Sequence, residues 1–288
     1  NCMRHFFSQR LIWLALLLSM GIGSMVARSI WTMRSDEWDF AARTNSNLVI
    51  ALEQSVGWTL RAMDHSLQNV VVKLERPEVM ELPYELRHQM LFDRPLRVAG
   101  LMDVYVIDSR GDIVMDSSAL QPRKANYADR DYFLALMKGT QTGLVIGRPV
   151  LGRVTQTWML PMARAYRGVD GQVTGVVVSS ISLSYFNELF ASLKLGPSSG
   201  VNLILDNGVI VSRYPYGDAD VGKSLAGTDN MRHLLATPAG NFTGVASLDK
   251  VERFYAYRRV GSYPLVVNVA QSTETMLADW RMNALQLS

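Results

Sequence analysis

Two arginines and three aromatic residues are the part of this chain best suited to holding a small molecule. Arg130 sits in the run Tyr127-Ala128-Asp129-Arg130-Asp131-Tyr132-Phe133, and Arg148 follows within Ile146-Gly147-Arg148-Pro149-Val150. A guanidinium presents a planar fork of donors that matches a carboxylate. Tyr127, Tyr132 and Trp158 are aromatic bodies with polar tips, the makeup of a small-ligand cleft wall. Each has a plainer reading: Arg130 as the salt-bridge partner of Asp129 or Asp131 that orders its loop, and Trp158 as core.

Other chemistries find less support. The string Gly196-Pro197-Ser198-Ser199-Gly200 fits the G-x-S-x-G of serine hydrolases. That chemistry needs its serine on a sharp strand-to-helix turn, whereas here a helix pattern precedes and a strand pattern follows. The expected role is a linker between domains, with a membrane-anchored serine hydrolase as the lesser alternative. His5, His65, His88 and His233 have no ligand spacing, and Cys2 is the single cysteine, so neither a metal site nor a disulfide is expected. No phosphate loop or dinucleotide fingerprint is present, and no cofactor is expected. A net charge of +3 without a basic run gives no reason to expect nucleic acid as a partner.

The elements that must position these residues begin with a membrane segment. From Leu11 to Ala27 there are seventeen residues without a charge, and beyond Arg28 the apolar character resumes with Ile30, Trp31 and Met33. With Arg28 snorkelling, this reaches the length of a bilayer span, and Trp13 and Trp31 mark its two ends. Met25 stands where signal-peptide cleavage after Ala27 would want a small residue, so an uncleaved anchor is expected. A short basic N-terminus inside and a large domain outside places residues 34 onward in the periplasm of a Gram-negative bacterium, with the anchor in its inner membrane.

Residues 35 to about 75 read as one long helix. Val56, Leu60, Met63, Leu67, Val70 and Leu74 are spaced 4-3-4-3-4, a buried seam that either packs on its own domain or forms a dimer. Pro77 and Pro83 interrupt it, and Tyr84 to Phe92 gives another helical piece. Next comes a hairpin, Val104 to Met115, turning at Asp108 and Gly111. It returns as Asn202 to Val211, turning at Asp206 and Gly208. Extended runs at Leu144 to Val150, Thr155 to Ala165 and Gly175 to Leu183 follow the first hairpin. Phe242 to Ser247, Arg253 to Arg259 and Pro264 to Ala270 follow the second. The fold expected is α+β, two tandem antiparallel-sheet modules behind a membrane helix. The layout is a cytoplasmic N-terminus over residues 1–10, an anchor over 11–33, a long helix and connection over 34–98, modules over 99–195 and 196–272, and a helix over 273–288.

The order of membrane helix, long helix and two modules resembles a double Cache sensor domain, a pair of PAS-like extracytoplasmic modules. The residues that carry the resemblance are Tyr127 to Phe133, Ile146 to Val150, Gly175-Val-Val-Val178 and Val221-Gly-Lys-Ser-Leu225. It covers about residues 34 to 284. Asp129 to Phe133, Tyr255-Ala-Tyr-Arg-Arg259 and Tyr263-Pro-Leu265 are most similar to the subset found before diguanylate cyclases; histidine kinases and chemoreceptors are the alternatives. The resemblance implies a sensory segment without catalysis of its own. It implies a small ligand in the membrane-distal first module, held by Tyr127, Arg130, Tyr132, Arg148 and Trp158, and a homodimer through the N-terminal helix. The final helix, through Leu277 and Trp280, would carry the change to a second membrane helix and an output beyond residue 288. Ser180 stands where amino-acid-binding members place an aspartate for the ligand amine, which implies a carboxylate or other anion.

Overall fold

The computed structural model describes residues 2–92, 100–153, 155–196, 198–278 and 281–282. Pro197, Trp280 and the boundary at residues 98 and 99 lie outside them. The first proline of the chain is Pro77, and nothing before it stops a helix: α1 runs unbroken over Cys2–Leu74. Pro77 then opens α2 (Pro77–Met80), and Pro83 precedes α3 (Tyr84–Leu91). Along the first part of α1, Trp13, Leu16, Leu17, Met20, Ile22 and Met25 are exposed, an apolar surface with no protein cover.

The seam residues of α1 have the opposite fate. Val56, Leu60, Met63, Leu67, Val70 and Leu74 are all buried, together with Val49 and Leu52. They pack on two sheets at once.

The first sheet contains β1 (Tyr105–Asp108), β2 (Ile113–Asp116), β3 (Leu144–Ile146), β4 (Val150–Leu151), β5 (Trp158–Arg167) and β6 (Val173–Ser182), with α4 (Asp131–Met137) between β2 and β3. Its order is β2-β1-β6-β5-β3, with β4 added along β5. Helix α5 (Leu183–Ala191) leads to the second sheet: β7 (Gly200–Leu205), β8 (Ile210–Tyr214), β9 (Ala239–Val245), β10 (Glu252–Arg259) and β11 (Leu265–Ser272). Helix α6 (Asp229–Ala236) lies between β8 and β9, and α7 (Thr273–Met276) follows β11. The order there is β8-β7-β11-β10-β9. All pairings are antiparallel, and the two orders coincide once β4 is set aside.

The repeat reaches atomic detail. Each hairpin shifts register at one place, after Val106 in the first and after Leu203 in the second. At each turn a glycine carbonyl accepts from the returning loop: Tyr127 N–H to Gly111 O at 2.7 Å, and Leu225 N–H to Gly208 O at 2.8 Å. The shared geometry equates Tyr127 with Leu225.

Two strands depart from the expected runs. Leu144 to Val150 splits into β3 and β4 because Pro149 has no N–H to donate, while Gly147 turns to donate to the Pro161 carbonyl at 3.0 Å. Thr155 to Thr157 is not yet strand: Gly152 N–H donates to the Thr157 carbonyl at 2.9 Å, with Gln156 at φ +53°, so β5 begins at Trp158.

The chain is two modules by topology and one by core. On the α1 side a continuous cluster runs from Phe254, Val267 and Val269 of the second sheet, through Phe186 and Phe190 of α5, to Leu160, Met162 and Val177 of the first. The opposite face of each sheet has its own smaller cluster, under α4 in the first module and α6 in the second. Polar contacts order the modules along α1. Asn45 donates to Gln271 at 3.0 Å, and Glu53 accepts from Gly261 N–H at 3.2 Å. Farther along, Asp64 receives both Arg164 Nε and Nη2 at 2.6 and 3.1 Å, and Glu75 accepts from Arg167 N–H at 3.0 Å. The second module therefore lies nearer the exposed apolar end of α1.

Candidate functional site

Strand alternation sends every second residue of β5 and β6 away from α1. In the first module that face meets the loop before α4, and between them lies a crevice of about 30 Å³. Tyr105, Tyr127, Arg130, Tyr132, Arg153 and Ser180 line it, with Pro161 and Val178 behind. The Tyr105 and Tyr127 rings stack at 6.4 Å and 17°. Arg130 and Arg153 both sit over Tyr127, at 6.0 and 5.7 Å from the ring centre.

The charges sort themselves in an order the sequence does not announce. Asp129 pairs with Arg153 at 2.6 Å, and that guanidinium holds the carboxyl below the usual range. Asp131 spends its oxygens on two backbone N–H groups, Tyr132 at 2.7 Å and Arg148 at 2.9 Å. Among the described residues Arg130 is left with one long bond, Nη2 to the Leu151 carbonyl at 3.4 Å, and its buried Nε has no partner. Burial keeps Tyr132 protonated well past its ordinary range and pushes Tyr105 up to about 12, so both phenols are neutral donors at physiological pH. Arg123 braces the wall: it pairs with buried Asp116 at 2.8 Å and with Asp103 at 2.5 Å, beneath the Tyr105 ring.

Of the five residues expected to share this site, Tyr127, Arg130 and Tyr132 line the crevice together. Arg148 is exposed and is tied in only through its backbone. Trp158 has the parity of Leu160 and Met162, so it packs in the α1-side core, on the other face of the sheet. Tyr105 and Arg153 were not singled out from sequence. Tyr105 sits within an apolar hairpin, and Arg153 lies in the stretch that read as leading into a strand.

The equivalent face of the second sheet holds a much larger cleft of about 420 Å³. Asn202, Arg213, Arg253, Tyr255 and Asn268 line it, with Ser199 at its edge. Ser198 lies in the turn before β7, and its carbonyl accepts from Arg253 Nε at 2.9 Å. A strand follows it, not the helix that a nucleophilic serine requires.

A family model described as a Cache domain matches residues 41–280. Among solved structures, the extracellular domain of a protein named as the histidine kinase rpHK1S-Z16 is similar at 25% identity. Its TM-score is 0.69, covering 84% of this chain and 99% of that one. The ligand-binding domain of the Pseudomonas aeruginosa PAO1 amino-acid chemoreceptor PctC, in complex with GABA, shares 18% identity at a TM-score of 0.57, covering 80% of this chain and 98% of that one. That of the Campylobacter jejuni chemoreceptor Tlp3, with 4-methylisoleucine, shares 12% at 0.59, covering 83% and 94%. No curated protein matches the sequence.

Proposed function

The chain belongs to the Cache domain family, and from that premise we propose that it is the extracytoplasmic sensing input of a membrane-anchored signalling protein. The ligand is a small carboxylate held in the first module. The observation that carries this reading is Arg130: a guanidinium with a buried, unpartnered Nε, in a crevice walled by three tyrosines. A buried donor left without an acceptor is costly, and a ligand oxygen would satisfy it. About 30 Å³ holds little more than a water, so a metabolite enters by opening the crevice. That opening gives ligand its leverage, because only a ligand with different affinity for two arrangements shifts them.

The output proposed is a diguanylate cyclase, on the wording of Asp129 to Phe133 and Tyr255 to Arg259. A histidine kinase or a chemoreceptor is the second reading, since solved relatives carry both names. The exposed apolar stretch of α1 supports an inner-membrane anchor with the modules in the periplasm, the second nearer the lipid. Met276, buried in the shared core, seats the start of the last helix there, a route for the change to leave the domain.

The test is thermal shift on the intact chain in detergent with acetate, L-lactate, succinate and L-glutamine. At least one is expected to raise the melting temperature. Arg130→Ala is expected to weaken that compound about tenfold or more, the worth of a charged hydrogen bond. Unchanged affinity in the variant would remove Arg130 from the site.

A homodimer through α1 is part of the same proposal. Phe40 and Trp58 are 64% and 59% exposed. They are eighteen residues apart, about five turns, which puts them on one line opposite the buried seam. Trp58→Glu is expected to shift the intact chain from dimer to monomer in sedimentation; a dimer that survives would place the contact elsewhere.

A further inference from the structure

The two modules share a topology, so their floors can be compared position by position, and they are built from opposite materials. In the first sheet the central pair facing the crevice is Tyr105 on β1 and Val178 on β6. Both β6 and β11 end on a serine, Ser182 and Ser272, from which the next helix starts. Counting back from that shared end, Val178 becomes Asn268, whose partner is Asn202 on β7. On the neighbouring strand Met159 and Pro161 become Arg253 and Tyr255. The phenol that fills the first floor is replaced by a shorter amide, and about 30 Å³ becomes about 420 Å³. The larger figure is within the usual size of small-molecule sites, roughly 300–1,000 Å³.

Three residues that line that space carry a buried polar atom without a partner among the described residues. Asn268 is 1% exposed; its Oδ1 accepts from Asn202 Nδ2 at 2.8 Å, and its own Nδ2 has no partner. Whichever way the amide is turned, only one end is met. Ser199 is 5% exposed, and its Oγ is likewise unpartnered. Arg213 gives Nη1 to Asp220 at 2.8 Å and keeps a buried Nε free of any acceptor. Buried polar groups are ordinarily satisfied, and three lining residues of one cleft that each carry an unsatisfied one call for an occupant. The charged residues that line the cleft balance two against two: Asp220 pairs with Arg213 at 2.8 Å, and Asp249 pairs with Arg253 through two contacts of 2.7 Å. Tyr255 lines the cleft, and Phe242 stacks on it at 4.9 Å from outside the lining.

We propose that the second module carries a binding site of its own, for a small carboxylate-bearing molecule whose oxygens accept from Asn268 Nδ2, Arg213 Nε and Ser199 Oγ. Two directed nitrogen donors and a hydroxyl suit a carboxylate, and the balanced lining admits a zwitterion as readily as a simple acid. The site is independent of the one built on Arg130. Its position near the membrane end of α1 places it between the first module and the last helix.

The experiment is calorimetric titration of the intact chain with L-lactate, succinate and L-glutamine, in the wild type and three variants. Asn268→Val installs the residue that the first sheet uses at the same place and removes the unpartnered amide. Arg213→Met tests the second donor, should the first variant fold poorly. At least one compound is expected to bind the wild type with a component that is reduced tenfold or more in Asn268→Val and in Arg213→Met and that persists after Arg130→Ala removes the first-module component. If the compound fills both modules, two sites in the wild type become one in Asn268→Val. Binding by none of the three, or wild-type affinity and stoichiometry in both second-module variants, would overturn the proposal. Loss in Arg130→Ala alone would overturn it too, while leaving the first-module site standing.

Discussion

Truncating Leu60 to alanine is expected to destabilise both modules together by about 3–5 kcal/mol, the cost of a fully buried leucine replaced by a cavity. Leu60 has no exposed surface and lies midway along the seam, between the helix turns that touch the second sheet and those that touch the first. Because the core on this side is continuous, neither module can keep its packing while the other loses it. Urea unfolding followed by circular dichroism should show one transition at lower denaturant. A loss under about 1 kcal/mol, or two separated transitions of which only one moves, would mean that α1 is an appendage to the sheets and not their common core.

The second large effect is expected at a turn. Gly208 has φ +89°, and a Cβ there would lie 2.6 Å from the Ala226 backbone nitrogen, which cannot swing aside as a side chain could. Gly208→Ala should therefore cost roughly 2–4 kcal/mol, backbone strain plus a forced shift of the loop that Leu225 ties down. Gly222 is the control: its φ is +81°, but nothing lies within 4 Å of its added Cβ, so alanine there should cost only about 1 kcal/mol. Equal losses at the two positions would show that the loop contact adds nothing. Gly111, at φ +91° with its Cβ 2.5 Å from Ala128 N, makes the same case in the first module.

These two features were also the most legible. The 4-3-4-3-4 seam and the first proline at Pro77 define α1 from sequence, and the Asp-to-Gly hairpins at Asp108 and Asp206 disclose the repeat. Side-chain direction was less accessible. Trp158 and Tyr132 could both serve as cleft walls by type, but which parity of β5 lies beneath α1 depends on the register of the sheet against a helix some hundred residues earlier. Arg164, of the same parity as Trp158, goes to Asp64 of α1. Arg153 was hidden because its turn reads as the approach to a strand, and Arg148 misled because its backbone, not its guanidinium, answers Asp131.

The larger cleft of the second module leaves little trace in the sequence. Aromatic and cationic clusters attract notice, and the second module has Leu225, Thr228 and Asn230 where the first has Tyr127, Arg130 and Tyr132. Yet the aromatic bulk of the first module closes its crevice, and a shorter floor opens the second. The signal that could have found it is Asn268, an amide in the middle of Leu265-Val-Val-Asn-Val-Ala270. A polar residue in the interior of a fully buried strand, with its side chain toward a sheet face, needs a partner.

In the function proposed for this chain, the first module senses the ligand and Arg130 receives it. Amide hydrogen exchange on the intact chain, with and without the carboxylate that most stabilises it, tests this directly. Protection is expected to rise over residues 127–137 and along Val173–Ser182, and to stay at its unliganded level there in Arg130→Ala. Ligand-induced protection confined to the second module, or protection of residues 127–137 that persists in the variant, would contradict it.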